Sequence, residues 1–244
     1  ALGEASLLRD PAECLAYGYD NSRRQAQPLA VALPTTREQV QAIVRACRQH
    51  RVPLVARGRG TNTTGASVPV HGGVVVSFER MNRLLDIRPG DRAAVVEPGL
   101  LNGELQVALK AQGLSWPPDP TSAPYSSIGG NLACNAGGPR ALKYGASRDN
   151  VLALTAVDGR GEILKLGAST SWKDGDAYVA PNAQIVWNAV DPLRLIGSYS
   201  RAHQFAHSLR NPESIAGTIF PADLYVGAGA PHVPVGSSRL ALIA

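Results

Sequence analysis

The 244 residues carry 24 Lys+Arg against 19 Asp+Glu, a net charge of +5, with 44% apolar and 18% charged residues. Such a chain has enough apolar content to bury one large or two small cores, which excludes a disordered or fibrous protein. Its positive residues are scattered and not interleaved with aromatics, so no nucleic-acid surface is indicated, and no apolar run of about twenty residues marks a membrane helix. Three widely spaced cysteines, Cys14, Cys47 and Cys134, fit no metal-ligand spacing and no disulfide framework. They point to reduced thiols in a cytoplasmic setting, with docking to the inner membrane face through partners left open. The opening ALGEASLLRD has neither the basic nor the apolar region of a signal peptide and no initiator Met, which suggests a fragment or a processed start.

The first clear element is a helix from Thr35 to Arg51, opened by a Thr35/Glu38 capping box and carrying Val40, Ile43, Val44 and Cys47 on one face. A strand from Val52 to Ala56 then runs into the glycine-rich stretch RGRGTNTTG. Three short β-runs follow, Val74–Phe78, Leu84–Ile87 and Ala93–Val96, separated by Gly and Pro–Gly turns. Leu101, Leu105, Ala108 and Leu109 form a second helical face that ends at Gly113. After the loop WPPDPTSAP comes a second small-residue stretch, SIGGNLACNAGG. Val151–Val157 and Glu162–Leu166 then form a hairpin around Asp158-Gly159-Arg160-Gly161. This order predicts an α+β domain and not the regular alternation of a doubly wound sheet. Beyond residue 168 charges thin out, and IVWNAV, LRLIGSYS and ADLYVGAG read as strands of a β-rich tail.

The two small-residue stretches carry the chemistry. In Arg57 to Gly65, three glycines and four small polar residues follow a strand, so successive backbone N–H groups can converge on an anion without Cβ obstruction. The stretch is not a Walker loop, having no Gly-Lys-Ser/Thr. It is not a Rossmann fingerprint either, since no helix opens directly after it. In the second stretch, Ser126 to Asn131 can start a short helix whose amides face a second anion or a polar ring edge, and Asn135 to Gly138 admits a flat group close to the backbone. A glycine-rich turn without a ligand explains either stretch alone. The two in this order suit an extended dinucleotide.

PLVARGRGTNTTGASVP, AAVVEPG, PPDPTSAPYSSIGGNLACNAGGPRALKYGASRDNVLALTAV and DGRGEIL together resemble the FAD-binding domain of the vanillyl-alcohol oxidase and p-cresol methylhydroxylase family. Within that family they are most similar to the branch of glycolate oxidase flavin subunits and D-lactate dehydrogenases. The resemblance implies a two-part α+β FAD-binding domain over residues 1–167 and an FAD-dependent enzyme that dehydrogenates a small 2-hydroxy acid. Position by position, it implies that Arg57, Gly58, Arg59, Gly60, Thr61 and Asn62 wrap the pyrophosphate, with Gly65 nearby. Asp119, Thr121, Ser127, Gly129, Gly130 and Asn131 are then expected on the flavin and ribityl side, completed by Cys134, Gly137, Tyr144 and Gly145. Some relatives attach FAD through a His in the first loop; Thr61 and Asn62 stand there in this chain, so non-covalent FAD is expected.

The family's later motifs do not follow Leu166, so no catalytic residue is assigned, and the chain is expected to be truncated, without the cap domain. Residues 171–244 more loosely resemble strands of a TonB-dependent receptor, which implies a fusion near 167–172. The competing reading is an inactive fragment or fusion that binds FAD or fails to; a sugar-nucleotide reductase of the same superfamily fits the loop wording less well. His203 and His207 are one helical turn apart, but with no third ligand at a recognised spacing they read as surface residues, so no metal is expected. The electron acceptor, partner subunits and identity of the hydroxy acid are not legible.

Overall fold

In the computed structural model the described residues are 3, 6–173, 176–190, 193–200 and 239–243, with side chains described as far as residue 167. The first lobe is built on a four-stranded sheet in the order β1-β2-β4-β3, from Leu7–Leu8 (β1), Ala30–Ala32 (β2), Leu54–Arg57 (β3) and Val74–Ser77 (β4). The pairs β2–β4 and β3–β4 are parallel and β1–β2 is antiparallel. Strand alternation sends neighbouring residues to opposite faces. Val31 and Val75 therefore pack with Leu33 and Cys14, the last in the short helix α1 (Pro11–Cys14). Ala32 and Val76 pack instead against Ile43 and Cys47 of α2 (Arg37–Gln49).

The α2 helix confirms the sequence periodicity, with its start one residue later than expected. Thr36 is the N-cap and accepts from Gln39 N at 3.3 Å, while Gln39 Oε1 reaches back to Thr35 N at 2.7 Å. The box is thus Thr36 with Gln39, not Thr35 with Glu38. Gln can play the reciprocal role as well as Glu, so two overlapping candidate boxes were equally readable.

The second lobe is a seven-stranded sheet in the order β10-β9-β8-β7-β11-β6-β5. Its strands are Leu84–Arg88 (β5), Ala93–Val96 (β6), Val151–Val157 (β7), Ile163–Lys173 (β8), Asp176–Val190 (β9), Leu193–Ser200 (β10) and Arg239–Ile243 (β11). The expected hairpin is β7–β8, with Val157 opposite Ile163. IVWNAV and LRLIGSYS lie in β9 and β10, which pair antiparallel and extend the sheet from β8. Strand β8 runs across the 167/168 boundary without a break. Strand β11 lies between β6 and β7, parallel to both. ADLYVGAG, His203 and His207 lie outside the described residues.

Helices α3 (Asn102–Lys110) and α4 (Ile128–Ala133) pack on this sheet, with Leu105, Leu109, Trp116 and Ile128 buried against Ala94 and Val96. Trp116 is 1% exposed and belongs to this core. A fifth short helix, α5 (Ala141–Tyr144), follows the second small-residue stretch. One described contact between the lobes lies at α2: Gln41 and Arg45 both donate to the carbonyl of Gly161 in the β7–β8 turn, at 2.8 and 3.0 Å. Within the second lobe, Glu97 accepts from Arg83 N at 2.8 Å and from its guanidinium at 2.6 Å, extending the β5–β6 pair by one step.

Candidate functional site

A groove runs between the lobes where β3 of the first meets the start of α4 in the second. Gly58 and Ser127 are its point of closest approach: a Cβ on Gly58 would stand 2.5 Å from Ser127 Oγ. That hydroxyl caps α4, accepting from Gly130 N at 3.3 Å. Glycine at position 58 therefore lets the two small-residue stretches meet with the Ser127 cap in place.

The groove has two joined parts of different character. One is a cleft of about 170 Å³ lined by Gly58, Arg59, Gly60, Thr61 and Asn62 from the first stretch and by Ser127, Gly130, Asn131 and Cys134 from the second. The other, about 280 Å³, is walled by Phe78, Pro98, Leu132, Leu154 and Ala156, with Arg57, Gly58 and Gly129 at its edge. Ala56, Gly58, Ser127, Gly130 and Ala133 border both parts.

Among the described residues, the backbone N–H groups of Gly58, Arg59, Gly60, Thr61 and Asn62 donate to no protein acceptor. Five consecutive unspent donors bordering a cleft are a group on which an anion can be held. The residues present therefore fit a dinucleotide, with a diphosphate at the amides and a flat apolar ring in the adjoining part.

Burial and bonding sort the expected contact residues into two groups. Thr61, Asn62, Arg59 and Cys134 line the cleft, with Asn62 Nδ2 donating to Ser67 Oγ at 2.9 Å and Arg59 pairing with Glu79 at 3.6 Å. Arg57 and Asn131 are buried, and their polar atoms bond within the protein. The Arg57 guanidinium donates to the carbonyls of Tyr19 at 2.7 Å and Ala16 at 3.3 Å. Burial holds its pKa below the ordinary arginine value. Asn131 donates to Ser126 Oγ at 3.0 Å and accepts from Asn102 Nδ2 at 2.8 Å. Gly65, Asp119, Thr121, Gly137, Tyr144 and Gly145 line neither part of the groove. Asp119 pairs with Arg140 Nε at 3.0 Å, leaving Oδ1 buried without a partner. Tyr144 lends its carbonyl to Asn150.

Two residues important to this geometry carried no sequence signal of their own: Asn102 and Asp20. Asp20 is 5% exposed and accepts from Ser22 N at 2.9 Å and Ser67 Oγ at 3.3 Å. Burial acts to raise its carboxyl, and the hydrogen bonds from Ser22 and Ser67 outweigh it, leaving the group below the usual carboxylate range. Among the described residues no three His, Cys, Asp or Glu are grouped to hold a metal, and no helix is long and apolar enough to cross a membrane.

Residues 28–167 match the family described as FAD binding domain. The chain is 41% identical over 165 residues to glycolate oxidase subunit GlcD of Bacillus subtilis (strain 168), covering 67% of this chain and 35% of that protein. It is 42% identical over 161 residues to D-2-hydroxyglutarate dehydrogenase of Stutzerimonas stutzeri (strain A1501), covering 66% of this chain and 35% of that one. Among solved structures, alkyldihydroxyacetonephosphate synthase superposes with a TM-score of 0.62 at 26% identity, over 68% of this chain and 35% of its own. p-Cresol methylhydroxylase does so with a TM-score of 0.59 at 25% identity, over 68% and 33%. The chain thus spans about a third of the length of the curated relatives it matches. The family match ends at residue 167, and the likeness of residues 171–244 to a TonB-dependent receptor finds no support. Alternating strands with aromatic residues are a weak signal per segment, and β9 and β10 simply continue the β7–β8 sheet.

Proposed function

The chain belongs to the FAD binding domain family, with FAD as its cofactor, and on that premise we propose that it is the cofactor-binding part of a flavoprotein that dehydrogenates a small 2-hydroxy acid. The observation that carries the cofactor site is the run of free amides from Gly58 to Asn62 facing the polar cleft. These amides would hold the pyrophosphate, with Thr61 adding a side-chain donor and Arg59 adding charge. The apolar part, walled by Phe78, Pro98 and Leu154, would take the adenine, since it offers flat contact and no charge to neutralise. The second stretch, from Ser127 through Cys134 to Gly145, would border the ribityl chain and flavin, with Asp119 and Thr121 at its outer edge. No His lies in the first stretch, so the cofactor would be held without a covalent bond.

When bound, FAD supplies a ring that accepts a hydride from the substrate's α-carbon, the hard part of the chemistry being the cofactor's. The protein's own residues bind and orient it. The substrate class is supported by the named relatives, a glycolate oxidase subunit and a D-2-hydroxyglutarate dehydrogenase, each about 40% identical. We place the cofactor unit at residues 1–167 and the β-rich tail at 168–244. The test is reduction of an artificial dye by the FAD-loaded chain with glycolate, D-lactate or D-2-hydroxyglutarate. Turnover of one of them supports the whole proposal. FAD uptake with no turnover of any reduces it to a binding unit.

A further inference from the structure

The family match begins at residue 28, yet the residues that hold the first glycine stretch in place come before it. Asn21 bonds to the stretch twice, its N–H to Asn62 O at 3.0 Å and its Nδ2 to Thr61 O at 3.3 Å. Arg57 turns back to Ala16 and Tyr19 and packs beneath Gly60, where a Cβ would collide with its guanidinium. Asp20 anchors Ser67 Oγ, which in turn accepts from Asn62 Nδ2 at 2.9 Å. Tyr17 donates to Glu79 Oε1 at 2.9 Å, and Glu79 pairs with Arg59 at 3.6 Å. These four ties of the stretch all lead to Ala16–Ser22.

We propose that Ala16–Ser22 is a built part of the cofactor site, a scaffold that pre-orders residues 57–67, and that Arg57 is a positioning residue in it and not a phosphate ligand. The physical case is one of entropy. A loop of small residues and glycines loses much conformational freedom when its amides converge on an anion. A segment that fixes its carbonyls and side chains from behind spends that entropy on folding, leaving the N–H edge free for the ligand. The guanidinium suits this role because its planar fork reaches two carbonyls at once, and it is buried with those donors already engaged. Asp20, Asn21 and Ala16 line neither part of the groove, so their contribution passes through the stretch.

This inference rests on the cleft being the FAD site, and the test separates the two. Asn21→Ala, Asp20→Ala and Arg57→Lys are made in the full chain. FAD affinity is measured by flavin fluorescence across a salt series, and tryptic cleavage after Arg59 is timed in the cofactor-free protein. Loss of one or two such hydrogen bonds predicts about five- to fiftyfold weaker FAD binding, with the milder Asn21→Ala at the low end. The salt dependence stays as in the unaltered chain, because no phosphate contact is lost. Cleavage after Arg59 speeds up in all three, since the stretch opens more often. Unchanged affinity in Asn21→Ala and Asp20→Ala overturns the scaffold, as does cleavage no faster than in the unaltered chain. Weaker FAD binding in Arg57→Lys with cleavage after Arg59 no faster than in the unaltered chain overturns the positioning role, because the guanidinium then acts on the ligand and not on the stretch. If the unaltered chain takes up no FAD, the cofactor reading fails, and the cleavage rates alone decide whether the segment orders the stretch.

Discussion

The two glycine-rich stretches look alike in composition and are held in different ways. Residues 57–67 are tied to partners about forty positions earlier, through Arg57 to Tyr19, Asn21 to Thr61 and Ser67 to Asp20. Residues 134–145 are tied to their own neighbours. Ala136 O accepts from Ser147 Oγ at 2.7 Å, and Asn135 Oδ1 accepts from Arg148 N at 3.1 Å. The second stretch also leaves Leu142 fully exposed, and its one ion pair, Asp119–Arg140, is partly open to solvent. The first stretch is therefore ordered by the fold as a whole, whereas the later part of the second, residues 134–145, is a locally closed loop, its earlier part being tied to Pro98, Leu100 and Asn102. Damage to the first should spread, and damage to residues 134–145 should stay where it is made.

The largest expected effect is at Gly60. Its φ of 67° suits glycine, and an added Cβ would push the Arg57 guanidinium from its place. Gly60→Ala should cost about 2 kcal/mol or more of stability and weaken FAD at least tenfold, read by urea denaturation and fluorescence titration. A variant that unfolds and binds like the parent would remove the distinction between the stretches. Gly58→Ala comes next. Its Cβ would displace Ser127 Oγ, a flexible side chain, so the loss should be close to that of one helix cap, about 1 kcal/mol. The same titration should show weaker FAD binding, because this is where the two stretches meet.

Tyr17 gives a pH signature of the scaffold. Burial and its hydrogen bond to Glu79 push its pKa up to about 12. The folded value lies above the unfolded one near 10, so its contribution to stability is complete below about pH 10 and is lost as pH rises through about 12. An ultraviolet titration should show a phenol ionising near pH 12 that disappears in Tyr17→Phe. The smallest effect is expected at the second stretch. Arg140→Ala removes a partly exposed pair and should cost less than about 1 kcal/mol. A loss as large as that of Gly60→Ala, by the same denaturation, would mean that both stretches are held by the whole fold.

What the sequence disclosed follows the range of the interactions. Helix α2 and strand β6 were legible because apolar periodicity and turn residues are local signals. Both glycine stretches were legible for the same reason, down to a short helix opening within Ser126–Asn131. The two-residue strand β1 and the three-residue strand β2 are too short to show a period. Asp20 and Asn21 carry no local signal, because their partners lie 47 and 40 positions away. Arg57 drew attention as a charge next to an anion loop, while its bonds to Ala16 and Tyr19 depend on a chain reversal that no local pattern reveals. The parallel insertion of β11 between β6 and β7 is likewise a long-range pairing.

The most direct test of the account is the visible absorption spectrum of the purified chain, with the released cofactor identified after heating. The account predicts a flavin spectrum, or its appearance on adding FAD, with FAD released intact at about one per chain. A colourless protein that takes up no added FAD would contradict it, because free amides at Gly58–Asn62 beside an open cleft would then bind nothing they are shaped for.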